Sequence, residues 1–345
     1  MKRTFDILQR AMLPLDGTIA RWVPEIMDAY ARIRPTGAWR ELTMVDFTAG
    51  SCLMPALFAA SGVRQLVVND YAPRSKLAAD FLFGRQPISL RRVEALLRSR
   101  RPKPRVHVPT FHFACDYLLE PVCEIFDRLY YADVPASERT GLRYLAVRWA
   151  LGFARTAEEG FEILYTHDIR QLAQTSDVDW HPYLARLRRY RSVMSALVRD
   201  LNASLGVIGP VRASIHCADM VEIAPKLRLK GPVFAAVNPP TRGLDEYTID
   251  DQLVHSLMSN RWLPLSKVSE SPMAFWTRRV SAALKHLPLG AEFMVWGGDG
   301  SMHWRECFQI WALFGEPLHI SRLGSGEDAA GWAILRRTGN GVELQ

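Results

Sequence analysis

The stretch Met44–Asp70, MVDFTAGSCLMPALFAASGVRQLVVND, decides how the chain is read. Leu42–Phe47 is a short apolar run that carries Asp46 near its end. A turn of small residues follows, Thr48-Ala49-Gly50-Ser51-Cys52. Leu53–Ser61 is an apolar segment compatible with a helix and closed by Gly62. Gln65–Val68 is a second apolar run, closed by Asn69-Asp70. This order predicts strand, tight turn, helix and strand, the first half of an α/β nucleotide-binding domain. Small residues let backbone amides approach a ligand, and the helix N-terminus beside them favours negative charge. The acid after the second strand stands where a ribose hydroxyl pair is commonly held. A βαβ unit without a ligand is the plain alternative, because a short glycine turn is a weak signal alone.

Composition bounds the rest. The chain has 345 residues, 48% hydrophobic and 23% charged, enough for a sizeable core and two domains. No apolar run is long enough for a membrane span, and MKRTFDILQRAM lacks the apolar region of a signal peptide. Cys52, Cys115, Cys123, Cys217 and Cys307 are scattered, odd in number and free of CxxC pairs. They read as reduced thiols of a cytoplasmic protein, with no zinc site expected. A net charge of +7 suits a polyanionic partner.

Working outward, Thr18–Ile33 has apolar residues at helical spacing, and Pro35-Thr36-Gly37 ends it before the first strand. Residues 71–210 are rich in Arg, Leu and Ala and predict a mainly helical insertion. They carry two basic clusters, Arg91-Arg92 with Ser99–Arg105 (including Arg101, Lys103 and Arg105), and Arg186–Arg191 (including Arg188, Arg189 and Arg191). A solvated face explains either cluster alone; two within one insertion of a basic protein point to phosphate contacts. After Pro210 the strand pattern returns at Ala213–Cys217, Pro232–Val237, Glu292–Trp296, Leu318–Leu323 and Trp332–Leu335. The last two predict an antiparallel pair across Gly324–Gly331.

Val233–Thr241 is the second informative stretch. A strand runs into Asn238-Pro239-Pro240-Thr241, where two prolines fix φ and remove two backbone donors. Such a rigid turn at a strand's carboxyl end could present the Asn238 side-chain oxygen and the Pro239 carbonyl to an exocyclic amine. An ordinary polar loop is the alternative.

Taken together, Asp46–Cys52, Asn69-Asp70 and Asn238-Pro239-Pro240 resemble the Dam-like group of adenine-specific DNA amino-methyltransferases. In that group the cofactor turn comes first, a helical target-recognition insertion follows, and a DPPY-type motif comes last. Gly17–Ile26 resembles the family's N-terminal cofactor segment, and Ile215–Ile223 resembles its strand-acid segment. Tyr247–Leu257 is similar to the segment after the catalytic motif, and Phe293–Trp296 and Gly331–Arg337 to the closing strands. The resemblance covers residues 15–70 and 211–340 and is weak in the insertion.

The resemblance implies a Rossmann-like class I methyltransferase sheet with a C-terminal antiparallel hairpin. Residues 1–70 and 211–345 would form the catalytic domain, and residues 71–210 the recognition insertion. S-adenosylmethionine would meet Thr18, Asp46, Thr48, Ala49, Gly50, Ser51, Asn69, Asp70, Asp219 and Met220, with Asp70 on the ribose and Asp219 on the adenine amine. Asn238, Pro239, Pro240 and Thr241 would receive the flipped base. Arg91, Arg92, Arg101, Lys103, Arg105, Arg188, Arg189 and Arg191 would contact double-stranded DNA. A partner subunit and the oligomeric state stay open.

The chain departs from the family pattern in four places. DPFxGxG is DFTAGSC here, with Thr48 for phenylalanine and Cys52 for the last glycine. Ile19 stands where a cofactor-binding lysine is expected. DPPY is NPPT, so the ring that stacks on the flipped base would have to come from elsewhere, such as Trp262 or Trp276. Three other readings therefore stay open: a degenerate relative that binds nucleic acid, an amino-methyltransferase on RNA or cytosine, and an unrelated α/β enzyme.

Overall fold

A computed structural model describes residues 2–13, 22–99, 109–114, 118–153, 185, 187–237, 253–261, 272–297, 304–323 and 330–339; side chains at 272–276 and 304–306 are outside this description. Seven strands form one mixed sheet in the order β3-β2-β1-β4-β5-β7-β6. They are β1 (Thr43–Asp46), β2 (Gln65–Asp70), β3 (Arg212–Cys217), β4 (Val233–Val237), β5 (Glu292–Gly297), β6 (Gly315–Leu323) and β7 (Ala330–Arg337). Strands β1–β5 pair in parallel, while β7 lies antiparallel between β5 and β6. The architecture is α/β and compatible with a Rossmann-like fold, and the expected C-terminal antiparallel pair is present.

Burial follows from helices on both faces. Strands β1 and β4, with sequences TMVD and VFAAV, are buried at every residue, as expected for central parallel strands covered on both sides. Alternate residues feed two cores. Met44, Leu66, Val68, Phe234, Ala236 and Met294 enter one; Val45, Val67, Ala235, Val237, Phe293 and Val295 enter the other. On the first face lie α1 (Lys2–Ala11), α2 (Val23–Ile33), α3 (Leu53–Ala60) and α4 (Pro73–Gly84). The same apolar cluster continues without a break into α5 (Leu90–Arg98), α6 (Phe111–Ala114), α7 (Glu120–Tyr130), α8 (Ala136–Phe153), α9 (Tyr190–Val207) and part of the helix after β4. Residues 71–210, where described, are therefore helical and share their core with the sheet. The second face is covered by α10 (Met220–Ile223), α12 (Pro272–Lys285) and α13 (Trp304–Ala312), with α11 being residues 253–259 on the first face.

Helix α2 runs over Val23–Ile33 within the expected Thr18–Ile33 segment, whose residues 18–21 lie outside the described residues. Pro24 sits in its first turn, where a residue without an N–H leaves no intrahelical bond unmade. Strand β6 begins at Gly315, three residues before the expected start. Pro317 is tolerated there because β6 is an edge strand and is bulged between Pro317 and His319.

At the amino end of β5, Glu292 ties this layer together. Tyr30 donates its hydroxyl to Oε2 at 2.7 Å, and Arg34 forks onto both carboxylate oxygens at 3.0 and 3.2 Å. Tyr30 itself packs on Phe234, ring centroids 4.2 Å apart. Helix α2 is thus bolted to the sheet through a buried carboxylate whose charge is matched.

Candidate functional site

The chain builds the sheet outward from β1 in one direction through β2 and β3, then returns to the other side with β4 and β5. Strand order therefore reverses between β1 and β4. The crevice outside the carboxyl ends at such a switch point is where open α/β sheets bind ligands. Three of the predicted site segments, Asp46–Ser51, Asn69-Asp70 and Asp219, lie at this edge.

Register explains how they meet. Asp46 is level with Val68, so β2 runs two residues further, to Asp70, and Asp70 is level with Cys217 of β3. The loop after β1 folds into the notch this stagger leaves. Ala49 donates its N–H to the Asn69 carbonyl at 3.0 Å. Gly50, at φ +52°, donates its N–H to Asp70 Oδ2 at 2.7 Å. Asp70 Oδ1 accepts from the Ala72 N–H at 2.9 Å, which shapes the entry to α4.

Cys52 closes the turn at φ +67°, the left-handed region that glycine adopts most freely. The residue that departs from the family's last glycine therefore keeps a glycine-like backbone. Its thiol is fully buried and points at the Ser75 carbonyl, 3.5 Å away. The turn is held in shape by covalent conformation at one end and by Asp70 at the other.

Asn69 staples three strand ends. Its side-chain amide donates to the Phe47 carbonyl at 3.2 Å and to the Ala218 carbonyl at 3.1 Å. The residue is 1% exposed, and its Oδ1 has no hydrogen-bond partner among the described residues. Both amide donors are engaged in holding the edge together, a role its place in the sequence did not reveal.

Asp46 is buried, and its Oδ1 accepts the Thr48 N–H at 3.1 Å. Burial pushes its carboxyl up to about 7; the Thr48 N–H pulls the other way, and the charge of Asp70 adds to the rise. Next to the same acid, burial and then Asp70 raise the Cys217 thiol. Both shifts come first from burial, and the charge of Asp70 adds to each.

Asp219 follows β3 and caps α10, accepting the Val221 N–H at 3.0 Å through Oδ1. Its Oδ2 accepts from Arg279 Nε of α12 at 2.9 Å. Arg279 was not legible as a site residue; it lies among unremarkable helix residues and meets Asp219 only through the fold. Met220 is buried in the second core rather than open to the crevice. Thr48 and Gly50 are half-buried, and Ala49 and Ser51 buried.

Thus Asp46, Thr48–Ser51, Asn69, Asp70 and Asp219 converge on one edge. Strand β4 ends at Val237 on that edge, whereas Asn238, Pro239, Pro240 and Thr241 lie outside the described residues, as do Thr18, Ile19, Arg101, Lys103, Arg105, Trp262 and the side chain of Trp276. Arg91, Arg92, Arg188, Arg189 and Arg191 lie on α5 and around the start of α9, far from the acids in sequence. Among the described residues no group of three metal-ligating side chains occurs, and no helix is long and apolar enough to cross a membrane. No protein-family model matches this chain, and no curated protein matches it in sequence.

Proposed function

We propose that the chain is an S-adenosylmethionine-dependent methyltransferase that acts on the exocyclic amine of adenine in DNA. One observation carries the reading: three acids, Asp46 at the end of β1, Asp70 at the end of β2 and Asp219 just after β3, lie at the carboxyl edge of adjacent strands around a glycine turn, beside the β1/β4 point where strand order reverses. The donor set fits the cofactor's chemistry. Its ribose hydroxyls and adenine amine are donors, which carboxylates accept, and its sulfonium and ammonium groups are cations, which suit a buried acid whose charge is otherwise disfavoured. The C-terminal hairpin and the helical residues between β2 and β3 also accord with the family resemblance.

Bound S-adenosylmethionine would supply an activated methyl group. Asp70 would hold the ribose while keeping Gly50 in place, and Asp219, braced by Arg279, would accept from the adenine amine. Asp46 would face the cationic methionine part. Asn238 and the Pro239 carbonyl would accept from the target amine once the base is flipped, orienting its lone pair toward the methyl group. Most of the rate enhancement would come from position and preorganised charge.

The test is mass spectrometry of nucleosides from duplex DNA treated with the purified protein and cofactor. N6-methyladenine should appear, and Asn238→Ala should lower its rate about a hundredfold, the scale of one preorganised contact, with cofactor affinity unchanged. Binding of cofactor and DNA without any methylated nucleoside would make the chain a binding module on a methyltransferase-like scaffold.

A further inference from the structure

We propose that α5 and the start of α9 form one docking surface for the phosphate backbone of double-stranded DNA, tempered by Glu94. The choice of DNA rests on the methyltransferase reading above; the surface itself rests on contacts away from the acid edge.

The two basic clusters are far apart in sequence, and the fold brings them together. Helices α5 and α9 pack against each other. Asn202 of α9 locks the entry to α5 in place: its Oδ1 accepts the Ile88 N–H at 2.8 Å, and its Nδ2 donates to the Ile88 carbonyl at 2.9 Å. Val93 and Leu97 turn α5's apolar side into the core. Arg91, Glu94 and Arg98, at i, i+3 and i+7, then share its exposed side. Arg188, Arg189 and Arg191 are exposed at the start of α9.

Glu94 lies between the clusters. Arg98 reaches its Oε2 at 3.3 Å. The Tyr190 hydroxyl, which accepts from Arg191 Nε at 3.2 Å, favours the charged form of Arg191 most, against some desolvation, and the charge of Glu94 adds least. Arg92 is paired separately, with Glu138 at 3.1 Å. Arg98 and Arg191, one from each cluster, thus share Glu94, while Arg91, Arg188 and Arg189 are exposed on the same two helical segments. Cations at the start of α9 also oppose its helix dipole, and its first turn has no acid to compensate. This excess of positive charge is unfavourable within the protein and is relieved by an external polyanion.

The arginines are spread along two helices instead of closing on one cavity. That spacing suits a repeating phosphate array better than a small anion. The basic run also continues in sequence past Arg98, through Arg100, Arg101, Lys103 and Arg105.

The experiment is fluorescence anisotropy of the full chain with two duplexes of unrelated sequence, across a salt series. Arg189→Glu with Arg191→Glu should weaken both duplexes by at least about tenfold and flatten the salt dependence by about 0.9 in log–log slope per lost phosphate contact. Glu94→Gln should tighten both about threefold, the scale of one removed repulsion in a phosphate field. Thermal melts should show Arg189→Glu with Arg191→Glu at least as stable as the parent, because both side chains are exposed and acids suit a helix N-terminus, and Glu94→Gln close to it, because an exposed ion pair contributes little. Affinities within twofold of the parent in both variants overturn the proposal, as does an equal or larger loss on single-stranded RNA, which would assign the surface to another partner. Cofactor-dependent methylation that persists while these variants bind DNA normally removes this surface alone. Arginine-dependent DNA binding by a protein that methylates nothing removes the methyltransferase reading and leaves the surface.

Discussion

Two buried carboxylates at opposite ends of the sheet are treated in opposite ways. At the amino end, Glu292 is 3% exposed and receives Tyr30, both branches of Arg34 and, at 3.8 Å, Arg336. At the carboxyl end, Asp46 is 4% exposed and receives one backbone N–H, with Asp70 as a like-charged neighbour. One end has its charge matched inside the protein. At the other, a buried carboxyl raised to about 7 sits beside a shaped turn. Removing a partner from the first arrangement strands a buried charge; a carboxyl of the second kind is unfavourable when ionised, and such groups cluster at functional sites.

Breaking the matched end should have the largest effect on stability and the least on binding. Glu292→Ala strands Arg34 and the Tyr30 hydroxyl, and a loss of about 3 kcal/mol is expected from removing one partner of a buried pair. Urea unfolding measures it, and cofactor affinity of the folded variant should be unchanged.

Neutralising Asp46 at the carboxyl end should act on stability through pH. The Asp46 carboxyl is raised to about 7, against an ordinary value of 3.8. Between those values the native chain holds a proton that the unfolded chain has released. Stability therefore falls as pH rises from about 4 to about 7 and levels off above that. Asp46→Asn keeps an acceptor for Thr48 and removes the titration, so the fall should flatten. The variant should be more stable than the parent at pH 8, by on the order of 1 kcal/mol. Unfolding midpoints at pH 5 and pH 8 provide the comparison. A parent whose stability rises over that interval, with no change in slope in the variant, would contradict the reading of Asp46.

A smaller effect probes the turn between the acids. Cys52→Gly relieves a left-handed conformation worth about 1–2 kcal/mol to a non-glycine residue but loses a buried thiol and adds unfolded-state freedom. The terms oppose, and thermal melts should place the variant within about 1 kcal/mol of the parent. Cys52→Val, branched at the same strained position, should be clearly less stable.

What could be read in advance follows from the range of the interactions. The β1–α3–β2 unit is local: an apolar run, small residues and a second apolar run within Met44–Asp70 are enough to locate it. Strands β4, β5 and β7 are legible for the same reason, as continuous apolar runs in a chain rich in helix formers. The acids at strand ends could be named, but not their partners. Asn69 meets Ala218, Asp219 meets Arg279 and Tyr30 meets Glu292 only after the sheet is assembled. The meeting of Arg98 and Arg191 at Glu94 likewise follows from the packing of α5 against α9, where Asn202 reaches Ile88, which no local pattern announces. The Asn238–Thr241 turn lies outside the described residues, so its reading still stands on sequence alone.

The central claim is that the acid-bearing carboxyl edge holds S-adenosylmethionine. Isothermal calorimetry of the parent and of Asp70→Asn with this cofactor at pH 8 tests it most directly. The account predicts measurable binding by the parent and at least about a tenfold loss in the variant, about 1.4 kcal/mol, the scale of one hydrogen bond to a charged group. Absence of binding by the parent, or equal affinity in a folded Asp70→Asn, would contradict it.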